Sequence, residues 1–209
     1  MAPRTPTLAR ESASWAAGRL LIGIDEAGRG PLAGPVVAAA VAFPSGAMLL
    51  PGVRDSKTLS AARRDALVPR LHQAAAAVGI GAASCREIDR LNIRVATVLA
   101  MRRALHRMLR ALGTHPVHVL VDGLPVPELG HPHAALVDGD ADCFSIAAAG
   151  ILAKTLRDAL MLRLARRYPG YGWERNMGYG TAAHLATLDA LGPTPHHRRS
   201  FAPVSQLRL

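Results

Sequence analysis

Leu20-Leu21-Ile22-Gly23-Ile24-Asp25-Glu26-Ala27-Gly28-Arg29-Gly30 is the stretch on which the fold turns. Its short apolar run predicts a buried strand, and the run stops at two adjacent carboxylates and a glycine-rich turn with one arginine. Strand neighbours face opposite sides, so Asp25 and Glu26 can both reach one ion only if the strand frays there. Gly28 and Gly30 let the backbone approach a ligand or adopt positive φ. Taken alone, an Asp-Glu pair at a strand end is ordinarily solvated, and Gly-x-Gly is a weak phosphate signal. The stretch acquires meaning from the acids that the rest of the chain supplies.

Working outward, Pro35 leads into Val36-Val37-Ala38-Ala39-Ala40-Val41-Ala42-Phe43, a second apolar run expected to form a hairpin with the first. Ser60 is placed to cap a helix through Leu67 and Leu71 towards Ala77, and Val78 to Ala83 reads as a third strand. Ser84 and Glu87 have the spacing of a capping box. From Ile93 to Leu112, Val98, Met101, Leu105, Met108 and Leu112 fall on one helical stripe, with Arg103, Arg107 and Arg110 opposite it as an ordinary solvated face. Val117 to Val121 predicts another buried strand, ending in Asp122-Gly123, and Ala134 to Val137 repeats the pattern before Asp138-Gly139-Asp140.

Three apolar strands thus deliver carboxylates at their carboxyl ends, where open α/β sheets bind ligands. Converging carboxylates repel one another unless a cation neutralises them, and an all-oxygen set suits a hard divalent ion. Two such ions about 4 Å apart can activate water and stabilise the leaving oxygen of a phosphodiester.

Composition fits a polyanionic substrate. The formal net charge is +10 and the isoelectric point about 11.1, which draws a protein towards nucleic acid or an anionic surface, although arginine could simply be the favoured base. At 209 residues, half of them hydrophobic, the chain predicts one globular domain over residues 20–209, with residues 1–19 as a loose, disordered tail. No apolar segment is long enough for a signal peptide or a membrane span, so the expectation is a cytoplasmic protein that does not contact membrane. Cys85 and Cys143 lie far apart without metal spacing, as in a reducing compartment. Lys57 and Lys154 are the only lysines among 25 basic residues, which suggests positions where a compact ammonium steadies a carboxylate or meets a phosphate.

With these residues in place, the chain resembles the ribonuclease HII family. The resemblance rests on Asp25-Glu26-Ala27-Gly28-Arg29-Gly30-Pro31-Leu32-Ala33-Gly34-Pro35-Val36-Val37 and a collinear series after it. The series comprises Asp55-Ser56-Lys57, Glu87-Ile88-Asp89 with Asn92-Ile93, Val121-Asp122-Gly123, Gly139-Asp140, Ile151-Leu152-Ala153-Lys154 with Arg157-Asp158, Gly178-Tyr179-Gly180-Thr181 with His184, and His197-Arg198-Arg199-Ser200-Phe201. It implies the ribonuclease H-like fold: α/β, with a mixed central sheet flanked by helices and a helical carboxyl-terminal portion. It implies that Asp25, Glu26, Asp122 and Asp140 are catalytic and hold Mg2+ or Mn2+, two ions in the catalytic complex. Gly28, Arg29, Gly30 and Tyr179 would bind the substrate ribonucleotide, with Lys57 and Lys154 as further substrate contacts. The implied substrates are RNA/DNA hybrids and duplex DNA with embedded ribonucleotides, cut by a monomer to leave 3'-hydroxyl and 5'-phosphate ends. No clamp-binding motif is evident.

Three positions depart from the family pattern. Met177 stands where a lysine is usual, Gly150 where serine is common, and Asp138 where a base is frequent. The spacing to Lys154 favours Asp140 over Asp138 as the fourth acid. Ribonuclease HIII generally differs at the position of Arg29 and adds an amino-terminal domain for which the residues before Leu20 are too few. Ribonuclease HI lacks the adjacent Asp-Glu pair. The sequence leaves two alternatives open: a nuclease or strand transferase of the same fold acting on DNA alone, and a silent nucleic-acid-binding module.

Overall fold

The computed structural model describes residues 5–206. Its centre is strand β1 (Leu20–Ala27), which pairs antiparallel with β2 (Val36–Ala42) and parallel with β4 (Val117–Asp122). β3 (Ala77–Ala83) extends the sheet antiparallel to β2, and β5 (Ala134–Leu136) extends it parallel to β4, giving the mixed order β3-β2-β1-β4-β5. The expected hairpin of β1 and β2 is present.

Every residue of β2 is buried because helices cover both faces of the sheet, which is why its sequence is a continuous apolar run. Val36, Ala38, Ala40 and Ala42 join Ile22 and Ile24 against α4 (Ile93–Leu112). Val37, Ala39, Val41 and Phe43 face α5 (Phe144–Arg167) and α2 (Ala61–Ala74) on the other side. The small residues set the spacing. A β-carbon on Gly81 would lie 2.0 Å from the Ala100 carbonyl oxygen of α4, and one on Gly23 would lie 2.4 Å from the backbone of α5 at Ile146.

The helices begin where side chains supply acceptors. Ser60 caps α2, Ser84 and Glu87 close the expected capping box of α3 (Cys85–Leu91), and Asn92 caps α4. α5 runs unbroken from Phe144 to Arg167. Beyond it, α6 (Trp173–Asn176) and α7 (Ala182–Leu191) form the carboxyl-terminal portion around Trp173, Tyr171, Met161 and Leu188.

The loose-tail expectation is corrected. Residues 9–16 form α1 (Ala9–Ala16), and Glu11 within it is fully buried. Its carboxylate accepts from the Ser145 amide at 2.7 Å and from the Cys143 thiol at 3.2 Å. The first-turn amides of α5 have no partners within their own helix, and Glu11 supplies the acceptor together with a charge that suits the helix amino terminus. Thr7 adds backbone bonds to Asp142 and Phe144. The part of the expectation on residues 1–4 lies outside the described residues. No described helix is long and apolar enough to cross a membrane.

Candidate active site

The structure brings Asp25, Asp122 and Asp140 together. One carboxylate oxygen from each lies within 4.8 Å of the other two, although the three acids come from separate segments. Asp25 lies near the end of β1, Asp122 ends β4, and Asp140 follows β5 in the short turn Gly139–Ala141. Two local bonds orient them: the Glu26 amide donates to Asp25 at 2.7 Å, and the Gly139 amide donates to Asp122 at 2.8 Å. Asp25 rests on α5 where the helix has no side chain. A β-carbon on Gly150 would lie 2.3 Å from Asp25 Oδ2, so the glycine that departs from the family pattern opens the space that this carboxylate fills.

Crowding and burial disfavour the ionised acids. Asp25 is pushed well above the usual carboxylate range by burial and then by the charges of Glu26 and Asp122. Burial raises Asp122, and burial with Asp122 and Asp55 raises Asp140 to about 6. A divalent cation is what an all-carboxylate set of this kind accommodates, because it neutralises the charge that protons otherwise must.

Glu26 is the acid the geometry sets apart. β1 does not fray before it: pairing with β2 continues through Ala27, so Glu26 takes the strand side opposite to Asp25. Its carboxylate accepts from Arg29 at 3.2 Å and is not part of the three-acid group. Burial raises its pKa, against the opposing influence of Arg29.

The two lysines have different places. Lys57 lies within the field of the cluster: burial works against its charge, but Asp55 and then Asp25, Asp140 and Asp122 outweigh it and raise its pKa. Lys154 instead pairs with Asp158 at 2.7 Å, and Asp158 also holds Arg64 at 2.7 Å. Asp55, whose carboxylate caps the Ser56–Thr58 turn, is the acidic neighbour of Asp140 that the sequence reading leaves without a role. Asp138 is in the left-handed region at φ 54° and outside the cluster.

Beside the acids, the Gly28-Arg29-Gly30 turn meets the Tyr179 turn. Gly28 has φ +94°, and a β-carbon on it would strike the Arg157 side chain at 2.0 Å. Gly30 faces Tyr179, whose ring edge lies 3.6 Å from where a β-carbon would be. Tyr179 is 48% exposed, as its glycine-flanked setting predicts. Two buried arginines join these turns. Arg157 donates to the carbonyls of Ala33, Pro35 and Met177, each at 3.0 Å, and Arg198 donates to those of Gly28, Arg29 and Gly34. Met177, which departs from the family pattern, has φ 49°, and its backbone carbonyl serves this clamp.

Behind Tyr179 is a buried histidine pair. His184 Nδ1 donates to the Tyr179 carbonyl at 2.8 Å, which leaves Nε2 to accept from Trp173 at 3.1 Å and from His197 at 3.0 Å. His197 Nδ1 accepts from the Thr194 amide at 2.9 Å. The pattern closes with both rings neutral. Burial lowers both pKa values, that of His197 to about 4. The sequence places Arg157, His184, His197 and Arg198 only as members of the family motif series and gives none of them a role, because their partners are backbone carbonyls and one another.

Comparison with known proteins bears on the same residues. The sequence profile described as Ribonuclease HII matches residues 22–204. The Ribonuclease HII of Synechococcus sp. (strain JA-3-3Ab) is 52% identical over 206 residues, covering 97% of this chain and 91% of that protein. The Ribonuclease HII of Sphingopyxis alaskensis is 56% identical over 190 residues, covering 91% of this chain and 92% of its own. Among solved structures, the PCNA:RNase HII complex from Archaeoglobus fulgidus contains a chain that superposes with a TM-score of 0.73 at 26% identity, covering 90% of this chain and 97% of that one. With the mixed sheet and its converging acids, these matches make the protein a nuclease with a ribonuclease H-like fold, and the chain belongs to the ribonuclease HII family.

Proposed function

We propose that the protein is a metal-dependent endoribonuclease that hydrolyses the RNA strand of RNA/DNA hybrids and cuts on the 5' side of ribonucleotides embedded in duplex DNA. The observation that carries the reading is the convergence of Asp25, Asp122 and Asp140 beside a glycine turn exposed at Arg29 and Gly30. An acid cluster suited to hydrolysis next to a backbone suited to reading a sugar is what such an enzyme requires.

Asp25, Asp122 and Asp140 would hold Mg2+ or Mn2+, and Glu26 would join them if the end of β1 loosens and its carboxylate turns from Arg29. Two ions held there would supply an activated water and charge stabilisation at the leaving oxygen, giving 3'-hydroxyl and 5'-phosphate ends. The chain's own groups do the positioning. Lys57 presents an ammonium at the rim of the acid cluster, where it attracts the substrate phosphate. The Gly28-Arg29-Gly30 backbone reads the 2'-hydroxyl, the group that distinguishes RNA from DNA at a given nucleotide, and Tyr179 packs against the neighbouring sugar. Arginines elsewhere hold the phosphate backbone without reading sequence.

Replacing Asp122 with asparagine tests the division of labour. Turnover on an RNA/DNA hybrid should fall by more than about 100-fold while binding to the hybrid changes little. Undiminished turnover would remove Asp122 from the chemistry and return the protein to a binding role.

A further inference from the structure

Arg198 is fully buried and takes part in no ion pair among the described residues. A buried guanidinium without a carboxylate is costly, and this one is satisfied by backbone carbonyls. Nη2 donates to Gly28 at 2.5 Å and to Gly34 at 2.9 Å, Nη1 to Arg29 at 2.7 Å, and Nε to Gly34 at 3.1 Å. Phe201 covers the cation, its ring centre 5.0 Å from the guanidinium carbon.

The consequence lies in the peptide planes. The peptides following Gly28 and Arg29 are trans, and in a trans peptide the carbonyl and the next N–H point in opposite directions. Drawing the carbonyls of Gly28 and Arg29 inward therefore turns the amides of Arg29 and Gly30 away from Arg198. Neither amide donates to any described residue. Two adjacent donors are thus left free on the turn that meets Tyr179, whose ring edge lies 3.6 Å from where a β-carbon on Gly30 would be.

We infer that Arg198 is a positioning residue for ribose selection: it fixes the Gly28-Arg29-Gly30 peptides so that the Arg29 and Gly30 amides can donate to a 2'-hydroxyl oxygen. The inference rests on the ribonuclease reading and adds a residue to it. Lysine keeps the charge but offers its donors from a single point, so it cannot hold two carbonyls in the geometry of the fork.

The test is binding of two duplexes of identical sequence, one with a single ribonucleotide and one all DNA, to Asp122→Asn protein with magnesium. Arg198→Lys in that background should lower the preference for the ribonucleotide duplex by about tenfold, the share of one hydrogen bond. Affinity for the all-DNA duplex should hold, because the arginine touches no exposed surface. A preference that survives the substitution overturns the inference and leaves the ribonuclease reading standing. Equal binding of both duplexes by the Arg198-bearing protein overturns the 2'-hydroxyl reading and the inference together. Should Arg198→Lys fail to fold, amide hydrogen exchange on the chain with Arg198 intact decides. Arg29 and Gly30 should exchange freely alone and be protected by the ribonucleotide duplex only. Protection without nucleic acid, or equally by both duplexes, overturns the inference.

Discussion

Asp140 has a folded-state pKa near 6 against an ordinary 3.8, so its ionisation opposes folding in the absence of a cation. A carboxyl raised in this way contributes stability that is complete below about pH 4 and is lost as the pH rises through 6. Asp140→Asn removes the ionisation. In chelator the variant should melt at the same temperature as the parent near pH 4 and above it at pH 8, whereas divalent cation should stabilise only the parent; scanning calorimetry at the two pH values checks this. The acids are legible because each follows a strand whose apolar run ends abruptly. Glu26 is less so: strand pairing that persists through Ala27 decides which way it points, and the sequence alone shows no fraying or its absence. Arg198 appears in the sequence only as part of a motif, without a role, since its partners are carbonyls up to 170 positions away and carbonyls leave no trace in composition.

Periodicity makes most elements readable, and burial on both faces makes β2 a continuous apolar run. α1 escapes because its anchor is tertiary: Glu11 is charged and sits in a polar, alanine-rich segment, yet it caps α5 from 134 positions away. Glu11→Ala should destabilise the fold by about 1.5–3 kcal/mol, the range for hydrogen bonds to a charged group. Thermal melting should fall by roughly 2–4 °C for each kcal/mol. An unchanged melting temperature would mean that α1 contributes nothing to stability. The sheet's other edge offers a separate case. Gly81→Ala thrusts a methyl against the α4 backbone and should cost about 1–3 kcal/mol. β3 is two strands from β1, so cleavage per folded molecule should be retained; a denaturant titration beside a cleavage assay separates the two effects.

Across the whole molecule, a chain of net charge +10 carries a cluster of converging acids. On the proposed reading, the net charge would draw in a polyanion and the acid cluster would repel it until cations neutralise the carboxylates. Part of the basic surface is structural, however. Arg103 pairs with Glu87, and Arg107 donates to the Ile80 carbonyl, so the arginine face of α4 is tied to its neighbours as much as to solvent. The net charge is visible in the composition, but this division is not, because it depends on which arginines find acceptors after folding. The measurement that bears most directly on the proposed activity is cleavage of an end-labelled DNA duplex containing one ribonucleotide, beside an all-DNA duplex, with magnesium, manganese or chelator. A single cut on the 5' side of the ribonucleotide, dependent on metal and absent from the control, is the expected result. Cutting of both duplexes, or of neither with any metal, would contradict the reading of the acid cluster and the glycine turn as one ribonucleotide-selective site.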